Sequence, residues 1–244
     1  MNYGLPNETA NELHPAVTAV DLKARLYEDF ALALHAMAQP LTVLRGATGL
    51  LKLRGASGPD ADRYLEMSHT QVERLCSLME GMRSLLDNVQ CVSASNPTNL
   101  WELVESVLDD EGSYLTEAGL RISAAQTGHD IHVLADPILA GHAIKAALRA
   151  ITAVSQKGDT IYLTVNPRDG FGDLMVHTLG ADGKRLGSIE RFHLSVAEVS
   201  IRNQHGFFEC LSDPFRVSLK FPLHDHKDEH FGSAEFSTST QQTR

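Results

Sequence analysis

The chain has 244 residues, 43% of them hydrophobic, and a formal net charge of −10. That length holds one large domain or two small ones with ample core, and the acidic balance argues against nucleic acid, whose phosphates select a basic face. Cys76, Cys91 and Cys210 are scattered, odd in number and form no CxxC pair, which suits a reducing cytoplasm and no structural zinc.

No run approaches the roughly 18 apolar residues of a membrane span. The opening stretch, MNYGLPNETANELHP, lacks both the basic region and the apolar core of a secretory signal. The expectation is a cytoplasmic protein that touches no membrane and receives its signal through a partner.

Residues 1–18 are polar and broken by Pro6 and Pro15, and read as a mobile arm. A first helix is expected over about residues 18–54. Within it Tyr27, Phe30, Leu34, Met37, Leu41, Leu44, Thr48 and Leu51 alternate spacings of three and four, the seam of a coiled coil. Gly55-Ala-Ser-Gly-Pro59 ends it with a turn, and Asp60 can cap a second helix to about residue 92. Leu65, Ser68, Val72, Leu75, Met79, Met82, Leu86 and Val89 repeat the same spacing without a slip. Cys76, between them, reads as a small packing residue. Residues 19–93 therefore form a helical hairpin with one apolar stripe on each arm. A lone hairpin buries such stripes poorly. Two hairpins paired into a four-helix bundle bury them well, so the sequence predicts a homodimer.

Residues 94–98 read as a linker by composition. From Asn99 to residue 223 the pattern changes to α+β: a helix, strands near 120–124 and 131–135, and a helix over about 137–155. Strands at 160–165 and 173–178 follow, then a helix over about 193–204 and two closing strands near 207–210 and 215–222. That order predicts a mixed sheet with helices on one face. Residues 224–244, with three more histidines among acids and then a Ser/Thr/Gln-rich end, read as a disordered tail rather than a metal site.

Within the first helix lies His35-Ala36-Met37-Ala38-Gln39-Pro40-Leu41, followed by Thr42-Val43-Leu44-Arg45-Gly46. His35 stands one step off the seam, beside the core and open to water. Ala31, Ala38 and Gln39, within one turn of it, leave room for a partner, and Pro40 interrupts the helix hydrogen bonding. This stretch resembles the phosphoacceptor box of two-component sensor histidine kinases, in which Pro-Leu follows a histidine by five residues on a dimerisation helix. The later elements are similar to the ATP-binding domain of the same kinases: Asp136-Pro137 before an apolar helix, and His205-Gly206 before two closing strands. The resemblance covers about residues 20–223. It implies that His35 accepts phosphate and that the partner is a response regulator receiver domain, with a sensor kinase as a second candidate. Ala31, Ala38 and Thr42 would then help to dock the regulator.

The departures are as informative. The family places an acid directly after the histidine as general base, and Ala36 stands there. Its nucleotide helix carries two asparagines four apart that hold metal and phosphates; the matching positions are Ala146 and Ala150, and methyl groups ligate no metal. Asp182 and Gly183 are all that matches the family's glycine loop, at the wrong spacing, and the segment that would form a lid is short. The expected cofactor set is therefore empty. The resulting reading is a histidine phosphotransferase or regulator phosphatase on a degenerate kinase fold, with Gln39 orienting the imidazole or a water. A non-enzymatic pseudokinase scaffold is the alternative, and an active kinase ranks behind both.

Overall fold

A computed structural model describes residues 19–54, 59–90, 95–127, 130–179, 186–212 and 215–224. Two long helices come first, α1 (Ala19–Arg54) and α2 (Pro59–Gln90), packed along each other. The hairpin's own interior is not made from the whole predicted seam. Ala33, Ala36, Pro40 and Ala47 of α1 are buried, with Gln71, Leu78 and Leu85 of α2. Phe30, Met37, Leu44, Ser68, Leu75 and Met82 are half-buried. The other half of each seam faces outward: Tyr27, Leu34 and Leu41 on α1, and Leu65, Val72, Met79 and Leu86 on α2. Cys76, expected to pack inside, is exposed instead. It lies one turn from both Val72 and Met79, on the same outward side.

Residues 96–98 of the expected linker belong to a strand. β1 (Asn96–Asn99) pairs antiparallel with β3 (His132–Ala135), Pro97 opposite Leu134. Composition misled here, because a short edge strand tolerates a proline that a central one does not. Asn99 then caps α3 (Leu100–Glu117), its side-chain oxygen accepting from the backbone N–H of Trp101 and Glu102. β2 (Arg121–Gln126) lies at one edge of the main sheet, and α4 (Pro137–Val154) follows β3, capped by Asp136 with Pro137 in its first turn.

β4 (Thr160–Arg168) and β5 (Phe171–Thr178) form a hairpin whose loop is Asp169-Gly170 alone, both at positive φ, the tight turn that matches strand twist. The last helix, α5, spans Ser188–Arg202, starting five residues before the expected His193. β6 (Phe207–Ser212) and β7 (Phe215–Pro222) close the domain. The five-stranded sheet runs β2-β4-β5-β7-β6, with β2–β4 parallel and every other pair antiparallel. One face of it, Ile161, Leu163, Val165, Leu174, Val176, Val217 and Leu219, is buried in the same core cluster as α4 and α5. α4 is the one described helix apolar enough to cross a membrane, and most of that stretch is buried within the protein. The tail beyond His224, expected to be disordered, lies outside the described residues.

Candidate functional site

α1 presents His35, Ala31, Ala38, Gln39 and Thr42 as one exposed strip, spaced i−4, i+3, i+4 and i+7 from the histidine. Thr42 donates its hydroxyl back to the Ala38 carbonyl at 2.8 Å, so it offers a methyl and a filled hydroxyl to the surface. The strip lies between two other faces of α1. On one side is the outward apolar row of Tyr27, Leu34 and Leu41; on the other, Ala33 and Ala36 are completely buried. Ala36, the residue directly after the histidine, therefore points into protein and not towards the imidazole's surroundings.

A cleft of about 630 Å³ opens between the hairpin and the α/β domain. Gln39 stands in its wall, opposite residues from the ends of α3, α4 and α5, and His35 sits one turn outside it. Ser77, Tyr114, Arg149 and His193 line the cleft, and they belong to a charge network that extends beyond its lining to Glu80, Glu111 and Lys145. Arg149 forks Glu111 with Nε to Oε2 at 3.0 Å and Nη2 to Oε1 at 3.2 Å. Its Nη1 donates to Ser77 Oγ at 2.8 Å and stands 2.8 Å from Glu80 Oε2. Lys145 Nζ lies 2.9 Å from Glu111 Oε1 and 3.6 Å from Glu80 Oε2. The Tyr114 ring lies under the guanidinium, 5.6 Å from Cζ.

Burial alone would raise the Glu111 carboxyl, but hydrogen bonds and charge from Arg149 and Lys145 outweigh it and hold the group below its ordinary value. His193, buried on α5, has Nε2 3.1 Å from Ser77 Oγ. Burial first, and then the neighbouring Arg149, push its imidazole down to about 4, so it is neutral at physiological pH. Because Ser77 already accepts from Arg149, its own proton is available to that neutral ring. None of Ser77, Glu80, Glu111, Lys145, Arg149 or His193 was singled out from sequence. The one signal was Lys145 and Arg149, four apart on an otherwise apolar helix, each immediately before an alanine of the degenerate pair.

Those alanines, Ala146 and Ala150, are 5% and 0% exposed in the packed middle of α4. Neither side chain carries a polar atom to offer a phosphate. Asp182 and Gly183 fall outside the described residues. Because α5 begins at Ser188, directly after Gly187, the stretch between β5 and α5 is only residues 179–187. Among the described residues no group of histidine, cysteine or carboxylate side chains is arranged to hold a metal ion.

No protein-family model and no curated protein sequence matches this chain. Solved structures do. The histidine kinase AdeS of Acinetobacter baumannii superposes with a TM-score of 0.58 at 18% identity, over 78% of this chain and 98% of that one. The histidine kinase ThkA, solved in complex with the response regulator protein TrrA, gives a TM-score of 0.59 at 16% identity, over 85% of this chain and 66% of that one.

Proposed function

From a chain whose fold is that of a two-component histidine kinase core, a helical hairpin followed by an ATPase-like α/β domain, we propose a phosphotransferase or regulator phosphatase that acts through His35 and binds no ATP. The observation that carries this reading is the contrast between two places on the chain. His35 is exposed on a smooth strip of small residues, while Ala36, Ala146 and Ala150, where acid and metal-holding side chains would be needed, are buried methyl groups. What transfer requires is kept, and what self-labelling requires is gone. The complex of ThkA with a response regulator supports a receiver domain as the partner.

The chemistry asks little of this chain beyond position. An aspartyl phosphate is a mixed anhydride. The lone pair of a neutral imidazole nitrogen attacks phosphorus in line, the carboxylate leaves with the electrons of the broken P–O bond, and the ring's other N–H loses its proton to water. Gln39, one turn from His35, is placed to orient the ring, or to hold the water that would hydrolyse the phosphoryl group. The outward apolar rows on α1 and α2 support a homodimer, because rows repeating every seventh residue are the coiled-coil pattern.

The test is exchange with receiver domains phosphorylated by a small acyl phosphate. The wild type is expected to gain an acid-labile, base-stable label or to speed loss of the receiver's label, and to gain none from ATP with magnesium. His35→Ala should abolish transfer, and Gln39→Ala should slow hydrolysis more than transfer. Labelling from ATP would overturn the reading. So would a receiver that exchanges equally well with His35→Ala. Binding of a receiver without any exchange would leave the protein a scaffold.

A further inference from the structure

A domain that ferries a ligand to a distant residue needs an interface that opens easily, and such interfaces are small, polar and wet. The contact between α2 and the pair α4 and α5 has another character. A single apolar cluster runs through both domains, joining Ala33, Ala36 and Leu78 of the hairpin to Phe192, Val196 and the sheet. Gly81 lets α5 approach so closely that an added Cβ would lie 2.7 Å from Phe192 Cε1. Several polar groups along the same line are paired across it, although His142 Nδ1 on α4 is buried there without a partner among the described residues. Asn88 donates to Ser200 Oγ at 2.8 Å and accepts at its backbone carbonyl from Asn203 at 3.0 Å. Ser195 donates to Asp29 on α1.

The charges are also completed across the boundary. Within the α/β domain, Lys145 and Arg149 share Glu111, leaving one positive charge over. Glu80 of the hairpin supplies the missing negative charge to both cations, while Ser77 links Arg149 to His193. Separation would strip the cations of that partner and expose the apolar seam.

We infer that the α/β domain is fastened to its own hairpin in one position, by a tie from Ser77 and Glu80 to Arg149 and His193 over the Gly81–Phe192 contact, and does not swing. This goes beyond the proposed function and holds or fails independently of any phosphotransfer. It makes the domain a fixed wall beside His35 rather than a carrier, and gives the cation pair on α4 a task that needs no nucleotide.

Pulsed electron paramagnetic resonance on the full chain tests it. Nitroxides are placed by Glu66→Cys on α2 and Arg168→Cys at the β4–β5 turn, both exposed, with Cys76, Cys91 and Cys210 replaced by serine. Labelled chain is diluted into unlabelled chain so that only distances within one chain are read. One narrow distance is expected, the same with ATP and magnesium present. Gly81→Leu, which wedges α2 from Phe192, and Glu80→Lys, at a side chain 56% exposed, should each broaden and lengthen it, with helix content by circular dichroism unchanged. A broad or two-peaked distance in the unmutated chain, or a shift on adding nucleotide, overturns the inference. So does a distance that stays narrow in both variants.

Discussion

A single buried imidazole gives this protein a definite response to acid. His193 ordinarily takes up a proton near 6.5, and in the folded chain only near 4. Between those values the unfolded state holds the extra proton, so stability falls as pH falls through that window. Above about pH 7 the effect is absent, and below about 4 it is complete, for a total of about 3 kcal/mol. His142 and His177 are lowered in the same direction, each mainly by burial. Urea denaturation at pH 5 and pH 7.5 is therefore expected to show a clear loss at the lower pH, and His193→Asn should remove much of that difference. An unchanged slope in the variant would show that the ring is not held neutral against Ser77. None of this was visible in the sequence, where His193 is one of twelve histidines and nothing marks its burial. The exposure of His35 beside the seam was legible because it follows from short-range helical spacing, and spacing survives without coordinates.

At the scale of elements, close approach decides what a strand can carry. Gly172 on β5 lies against the small sheet and the start of α3: a Cβ there would meet Val133 Cγ1 at 2.7 Å, Leu100 Cδ2 at 3.0 Å and Ile131 Cγ2 at 3.1 Å. Gly172→Ala is expected to cost about 1–3 kcal/mol by overpacking, read as a lower denaturant midpoint, and a variant as stable as the parent would show that the β1–β3 pair moves freely there. The long helices and the central strands β4, β5 and β7 were legible because their periods of 3.5 and 2 run over many residues. β1 was not, being three polar residues around Pro97, and its place is fixed only by its partner β3, some 35 positions away in the chain. The start of α5 was missed for a related reason. Ser188-Ile-Glu-Arg has too few apolar residues to announce a helix, and Gly187 offers no side-chain cap. The tie around Arg149 escaped because its residues come from three helices and look, one at a time, like solvated charges.

For the whole molecule the outward rows carry the main consequence. Leu34 and Leu41 are 61% and 51% exposed in the single chain, and Met79 62%. A charge placed there disturbs nothing inside one chain but would be buried unpaired between two. By light scattering the parent is expected to be a dimer, and Leu41→Glu accordingly a soluble monomer with unchanged helix content. A variant that stays dimeric would remove the four-helix bundle and the assembly of His35 sites on it.

The burial of Ala36 also has a meaning in evolutionary time. To place an acid directly after His35 by one substitution, the chain would have to bury a carboxylate at Ala36, within the apolar cluster that also holds Ala33 and Phe192, at a cost of several kcal/mol. That change brings no advantage while Ala146 and Ala150 remain, and each of those is closed in turn by the packing of α4. On the proposed reading, the packing that holds the second domain in place therefore works against any later gain of self-labelling, while the exposed strip around His35 can vary toward a partner at little cost.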